Sequence, residues 1–152
     1  MGVFPPMVRF PEEFMLFEKI YKRFKDRLKI GLMVETPSIA LSFHKIVKKI
    51  DFMIFGSNDL TQFTLALDRQ NPNLSRFFDA KDESVVFLFD RVIKLCNQCH
   101  IESSIGGQAA NDWKVAKLLL DLGISGLSVS PNPLKLSQMR TRINKWEQKK
   151  RK

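Results

Sequence analysis

Two carboxylates and one arginine stand at positions where they could do chemistry together. Glu35 closes the apolar run Ile30–Val34, and Asp59 follows the run Phe52–Phe55 through Gly56, Ser57 and Asn58. Arg69 comes ten residues past Asp59. If the two runs are adjacent strands, both carboxylates face one rim. A hard cation such as Mg2+ is held in this way, by one or two carboxylates plus substrate oxygens. Gly56 lets backbone N–H groups approach an anion, and Asn58 adds an amide donor at a helix start. Arg69 can fork onto a phosphate or a carboxylate. Together these groups describe a site for a magnesium-bound phosphorylated acid.

Each residue also has a plainer reading. Glu35 before Thr36-Pro37 could be a solvated strand end. Asn58-Asp59 could cap a helix, the commoner role of such a pair. Arg69 could pair with Asp68 or face solvent. The composite weighs more than its parts, because every one of these groups falls at the same end of an expected strand.

The elements that must position them alternate. Strands are expected at Val3–Arg9, Ile30–Val34, Phe52–Phe55, Ile101–Ile105 and Ser125–Val129. Helical periodicity marks Pro11–Leu28, with Phe14, Phe17, Tyr21, Phe24 and Leu28 on one face, and Pro37–Lys49, with Pro at its first turn. A polar-headed helical turn is expected over Asn58–Asp68 and a loop over Asn71–Phe78. Glu83–Cys99 reads as a helix with Val85, Leu88, Phe89, Val92 and Cys96 inward. Asp112–Leu122 reads as another, ended by Gly123 as a C-terminal cap. A last helix starts from Ser130-Pro131 and carries the stripe Leu136, Met139, Ile143 and Trp146. Strand–helix alternation means a parallel sheet. About five βα units fit the chain, whereas a closed (β/α)8 barrel has eight strands and typically about 250 residues. The fold class is therefore α/β, either an open sheet or part of a barrel.

Composition bounds the remaining function classes. The chain is 44% hydrophobic and 27% charged, which suits one folded domain. No run of about 18 apolar residues offers a membrane span. The opening Met1-Gly-Val-Phe-Pro-Pro6 has no basic-then-apolar pattern, and with two cysteines a reducing, cytoplasmic setting is expected. The net charge of +9 invites a nucleic-acid reading. However, Lys135 to Lys152 holds 8 basic residues and 1 acid, so most of the charge sits at the C-terminal end. Residues 147–152 are read as a basic tail after a domain spanning 1–146, and a nucleic-acid partner is not expected. Cys96-Asn-Gln-Cys99-His100 fits a haem-attachment pattern, but it ends a core helix and lacks an export signal. A zinc site would want a fourth ligand, and His44 reads as an ordinary helix residue. The 13 phenylalanines are expected to fill the core.

Three strings carry a resemblance: Gly31-Leu-Met-Val-Glu-Thr-Pro37, Gly56-Ser-Asn-Asp-Leu-Thr-Gln62 and Leu65-Ala-Leu-Asp-Arg69. With Phe78-Asp79 and Gly107-Gln-Ala109, the chain from about Phe4 to Ile143 resembles the phosphoenolpyruvate-utilising enzymes. The detail is most similar to their phosphoenolpyruvate synthase (pyruvate, water dikinase) branch. The resemblance implies a (β/α)8 TIM barrel of which this chain covers strands four to eight. It also implies Mg2+ as cofactor, phosphoenolpyruvate or pyruvate as substrate, and phosphoryl transfer from or to a phosphohistidine on another domain. Glu35 and Asp59 would be the metal ligands. Asn58 and Arg69, with Gly56 and Ser57, would hold the substrate.

Two departures follow. The first three strands, with further phosphate-binding arginines, would have to come from elsewhere. A separate chain carrying that barrel half and the phosphohistidine domain is one expectation, and a homo-oligomer stays open. Second, the family pattern places a Cys, the acid that protonates the enolate carbon, where this chain has Gly106. Ser104 is expected on the same face one layer deeper, but a hydroxyl is a poor acid. The chain is therefore expected to be inactive in isolation. The alternative is a non-catalytic relic or a phosphoenolpyruvate-binding module.

Overall fold

A computed structural model describes residues 1–24 and 26–151. Five strands form one sheet: β1 (Gly2–Val3), β2 (Lys29–Val34), β3 (Phe52–Gly56), β4 (Glu102–Gly106) and β5 (Gly126–Leu127). All pairings are parallel, and the order in space is the order in sequence, β1-β2-β3-β4-β5. A doubly wound sheet reverses its strand order at a switch point. Here nothing reverses, as in the wall of a (β/α) barrel.

Six helices connect and follow the strands: α1 (Pro11–Tyr21), α2 (Pro37–Ser42), α3 (Ser57–Leu65), α4 (Glu83–Gln98), α5 (Trp113–Leu122) and α6 (Pro133–Lys150). The core lies between the sheet and the helix layer. From the strands come Leu32, Val34, Met53, Phe55 and Ile105, and from α4 Val85, Phe89, Val92 and Ile93, all fully or nearly buried. Phe55 and Phe89 meet edge to face with centroids 4.9 Å apart. The opposite sheet face carries Met33, Phe52, Ile54 and Ser104, which are only half-buried. Register stacks this face in layers. Met33, Ile54, Ser104 and Gly126 stand abreast, and Gly31, Phe52 and Glu102 stand abreast further down. Phe52 fills the space beside Gly31, and Phe4 packs on it edge-on at 6.2 Å.

Several expected elements are shortened. The first strand ends at Val3, since Pro5 and Pro6 supply no ladder donors. The first helix ends at Tyr21 instead of Leu28, and the chain returns through turns in which the Tyr21 hydroxyl donates to the Leu28 carbonyl. Lys25, within the expected helix, lies outside the described residues. The expected helix over Pro37–Lys49 is α2 followed by two 3-10 turns, Phe43–Lys45 and Val47–Lys49. Ser42 Oγ donates back to the Ser38 carbonyl at 2.8 Å, a local bond that competes with regular helix.

Strand β5 is two residues by its ladder, although Ser125 and Ser128 N–H also donate to Ser103 and Ile105 at 2.9 Å. Helix α5 ends as expected at Gly123, in the left-handed region at φ 92°. Helix α6 starts at Pro133, because Asn132 caps it by accepting from Leu134 and Lys135 N–H at 3.1 Å. It continues to Lys150, so residues set apart as a tail form its last turn, and Lys152 lies outside the described residues. Of its expected stripe only Met139 is buried. The phenylalanines do not all fill the core. Phe14, Phe43, Phe55 and Phe89 do, while Phe10, Phe24, Phe63, Phe77 and Phe87 are exposed where no second layer covers their elements. Among the described residues no helix is long and apolar enough to cross a membrane.

Candidate active-site rim

The registers Val34 with Phe55 and Gly56 with Gly106 bring the ends of β2, β3 and β4 to one level. Glu35 leaves β2 there, α3 begins directly after Gly56, and Gly106 ends β4. A cavity of about 200 Å³ opens at this level, floored by Met33 and Ile54 and rimmed by Glu35, Gly56, Asn58, Asp59 and Gly106. The structure therefore gathers both expected carboxylates around one space, together with the amide at the head of α3.

Glu35 is 5% exposed, and its Oε1 accepts from Met7 N–H at 2.6 Å. Burial raises its pKa above the ordinary carboxylate value. The Met7 hydrogen bond opposes that shift, and the nearby charge of Asp59 adds to it. Two carboxylates at one rim, one of them poorly solvated, make a setting that a divalent cation would relieve. Gly56 permits the arrangement. A Cβ there would overlap the Glu35 carboxylate and stand 2.8 Å from Glu35 Cβ.

Thr36 anchors the turn beyond Glu35. Its Oγ1 donates to the Val8 carbonyl at 2.7 Å and accepts from Ile39 N–H at 3.5 Å as the cap of α2. Helix α3 has no side-chain cap, so its first-turn N–H groups stay available to an anion. Asn58 Oδ1 accepts from Gln108 N–H at 3.3 Å, which orients the amide and leaves its NH2 for a ligand. The Ser57 hydroxyl is engaged within the protein. Ser57 is 1% exposed, and its Oγ donates to the Gly106 carbonyl at 2.7 Å, bracing β3 against β4. Its hydroxyl proton is therefore committed, and its backbone N–H at the head of α3 is the donor left for a substrate.

Arg69 turns toward the rim. Its Nη1 lies 3.5 Å from Asp59 Oδ1, while Asp68 accepts instead from Gln70 N–H. That Nη1 is buried and has no hydrogen-bond partner. The Asp59 contact is an ion pair without a formed hydrogen bond, so this N–H donor is still free to bond a further anionic oxygen at the rim. Ala66, left-handed at φ 53°, turns the chain after α3, and Gln62 Oε1 accepts from Arg69 N–H at 3.2 Å. Met7 and Gln62 thus position the two outer groups of the site. Sequence reasoning missed both as site residues. Gln62 at least lay inside a singled-out string, whereas Met7 acts only through its backbone.

Gly106 offers no side chain, and a Cβ there would find nothing nearer than 4.0 Å. Ser104 lies on the same face one layer deeper, with its Oγ 3.4 Å from the Met53 carbonyl. Cys96 is buried in α4, where burial pushes its thiol up to about 12, and Cys99 caps that helix, both away from the rim. A separate cleft of about 310 Å³ lies on the outer side of Asn58, between α3 and the segment from Arg76 to Lys81, and includes neither Glu35 nor Asp59.

A parallel sheet wound in one direction, with acidic and polar groups gathered at the C-terminal ends of its strands, is the wall of a partial (β/α) barrel. Residues 2–147 match the family described as PEP-utilising enzyme, PEP-binding domain, and the chain belongs to that family. It is 38% identical over 142 residues to a probable phosphoenolpyruvate synthase of Pyrococcus horikoshii, covering 90% of this chain and 17% of that protein. It is 36% identical over 107 residues to a phosphoenolpyruvate-protein phosphotransferase of Buchnera aphidicola, covering 70% of this chain and 19% of that protein. The chain thus spans less than a fifth of the length of these curated relatives. Among solved structures, an HpcH/HpaI aldolase/citrate lyase family protein from Burkholderia cenocepacia superposes with a TM-score of 0.56 at 18% identity. That match covers 98% of this chain and 52% of the other, a likeness of fold in which this chain corresponds to about half.

Proposed function

We propose that the rim binds phosphoenolpyruvate or pyruvate with Mg2+, as part of a phosphoenolpyruvate synthase-type phosphotransferase. The observation that carries this reading is the convergence of Glu35, Asp59 and Asn58 on one cavity, with Arg69 Nη1 beside it, ion-paired to Asp59 but making no hydrogen bond. Glu35 and Asp59 would hold the metal, whose part in the chemistry is to neutralise charge on the substrate oxygens. Arg69 and the Asn58 amide would hold the phosphate, and the first-turn N–H groups of α3 would receive a carboxylate or phosphate oxygen. Phosphoryl transfer is mostly positioning and charge neutralisation, and this chain supplies part of both.

Gly106 favours a second reading, binding without turnover by the isolated chain. Forming pyruvate requires a proton at the enolate carbon, and a positioned acid is typically worth about 10²–10⁴ in rate. Neither Gly106 nor Ser104 is such an acid. The half-open sheet face likewise supports a requirement for further barrel strands, supplied by another segment or chain.

Calorimetric titration with phosphoenolpyruvate and Mg2+ tests the binding claim. The expected result is Mg2+-dependent binding that Asp59→Ala abolishes. Unchanged binding in Asp59→Ala, or no binding once the complementary barrel half is supplied, overturns it. Phosphoenolpyruvate formation by that assembly, raised in Gly106→Cys, would separate catalysis from binding alone.

A further inference from the structure

The chain has two tryptophans, Trp113 and Trp146, and the fold brings them into one groove. The groove runs between α5 and α6, away from the strand ends, and has a volume of about 230 Å³. Lys117, Arg142, Lys145 and Lys149 line it with the two indoles. The Arg142 guanidinium stands 5.8 Å from the Trp113 ring centroid, and Lys150 Nζ stands 5.1 Å from that of Trp146.

Asp121 is the carboxylate that bonds into this cluster among the described residues, and it is fully engaged. Asp121 accepts from Trp146 Nε1 at 2.9 Å, from Lys117 Nζ at 2.6 Å and pairs with Lys150 Nζ at 3.2 Å. These partners hold its carboxyl at about 2, so it stays charged and orients Trp146. Among the described residues, Arg142, Lys145 and Lys149 have no carboxylate within 4.0 Å, and neither does Lys135. Steps of seven, three and four residues put these four cations on one flank of α6. At 1.5 Å per residue the row from Lys135 to Lys149 is about 21 Å long.

We propose that this groove binds single-stranded nucleic acid, with bases stacked on the indoles and phosphates along the α6 cation row. Indole faces and unpaired cations side by side ask for a ligand that is both flat and polyanionic. Single strands meet both demands through a charged track with aromatic platforms. A lipid surface fits less well. Helix α6 buries only Met139, and its exposed Leu134 and Leu136 are confined to the first turn, so it has no apolar face to insert. Charge count alone did not point here. The juxtaposition does, because Trp113 and Trp146 belong to different helices.

Intrinsic fluorescence reads the groove directly, since both of the chain's tryptophans line it. Titrating the full chain with an oligothymidylate of about ten nucleotides should quench that fluorescence. For three to four phosphates, the log–log salt dependence of binding should have a slope between about −2 and −3. Lys145→Ala with Lys149→Ala, both solvent-facing, should reduce that slope in magnitude by about 1.4. The same pair should weaken binding at least about tenfold while circular dichroism is unchanged, and anisotropy of a labelled strand gives a second readout. Absence of quenching and of anisotropy change overturns the proposal. So does equal binding by polyglutamate or by phosphatidylserine vesicles, or indifference to the double substitution. Phosphoenolpyruvate binding at the rim is a separate measurement, so either claim can fail alone.

Discussion

Gly56 and Glu35 form one device across two strands. The carboxylate lies over the space a side chain at Gly56 would need. Gly56→Ala should therefore destabilise the fold by about 1–3 kcal/mol, the usual cost of overpacking, and displace Glu35 from the rim. Urea denaturation reads the first effect and loss of Mg2+-dependent phosphoenolpyruvate binding the second. The raised pKa of Glu35 has a defined sign. A carboxyl near 4.3 when unfolded that titrates higher when folded holds its proton more tightly in the native state. The contribution of this one group is then greatest at acid pH and falls as pH rises through the unfolded and then the folded value, opposite in sign to that of Glu13 and Asp121, whose carboxyls are held low. Glu35→Gln should raise the melting temperature at pH 7, with the gain vanishing below about pH 4. Mg2+ should stabilise the parent chain and not the variant. Glu35, Asn58 and Asp59 stood out in the sequence because each closely follows an apolar run whose end marks the rim, and Arg69, beyond α3, stood out through the string Leu65–Arg69. Met7 did not, since it reaches Glu35 through a backbone N–H that only the tertiary fold brings near. The bond from the Ser57 hydroxyl was hidden for a similar reason, because its acceptor is a carbonyl on another strand.

At the scale of elements, Thr36 joins three pieces: it ends the β2 turn, caps α2 and bonds the segment before α1. Thr36→Val keeps the shape, removes the cap and leaves the Val8 carbonyl without its donor. The expected cost is about 1–3 kcal/mol, read as a lower denaturation midpoint at an unchanged slope. The long, strongly periodic helix α4 was legible to within a residue, because its apolar face repeats over four turns. The shorter elements were less so. Helix α2 gives way to 3-10 turns through a serine back-bond, and α1 stops where aromatic spacing alone would carry it further. Periodicity shows which face could be buried. The fold decides how much of it is covered, and Phe24 and Leu136 stay exposed.

At the scale of the molecule, the alternation of elements made a parallel α/β sheet legible, and the unreversed strand order resolves the choice between open sheet and barrel wall. The half-buried face of Met33, Phe52 and Ile54 is the inner side of that wall. The same strand order has a kinetic consequence. Each strand bonds only to its neighbours in the chain, so the ladder has two ends and a middle rather than a closed ring. Openings should begin at the two-residue ladders of β1 and β5 and reach β3 last, since β3 is the central strand and each of its neighbours is itself held by a further ladder. Native-state hydrogen exchange should find the amides of Met53 to Phe55 the slowest in the sheet, with those of Val3 and Leu127 exchanging through local fraying. Uniform protection across all five strands would instead mean that the half-wall unfolds as a single cooperative unit.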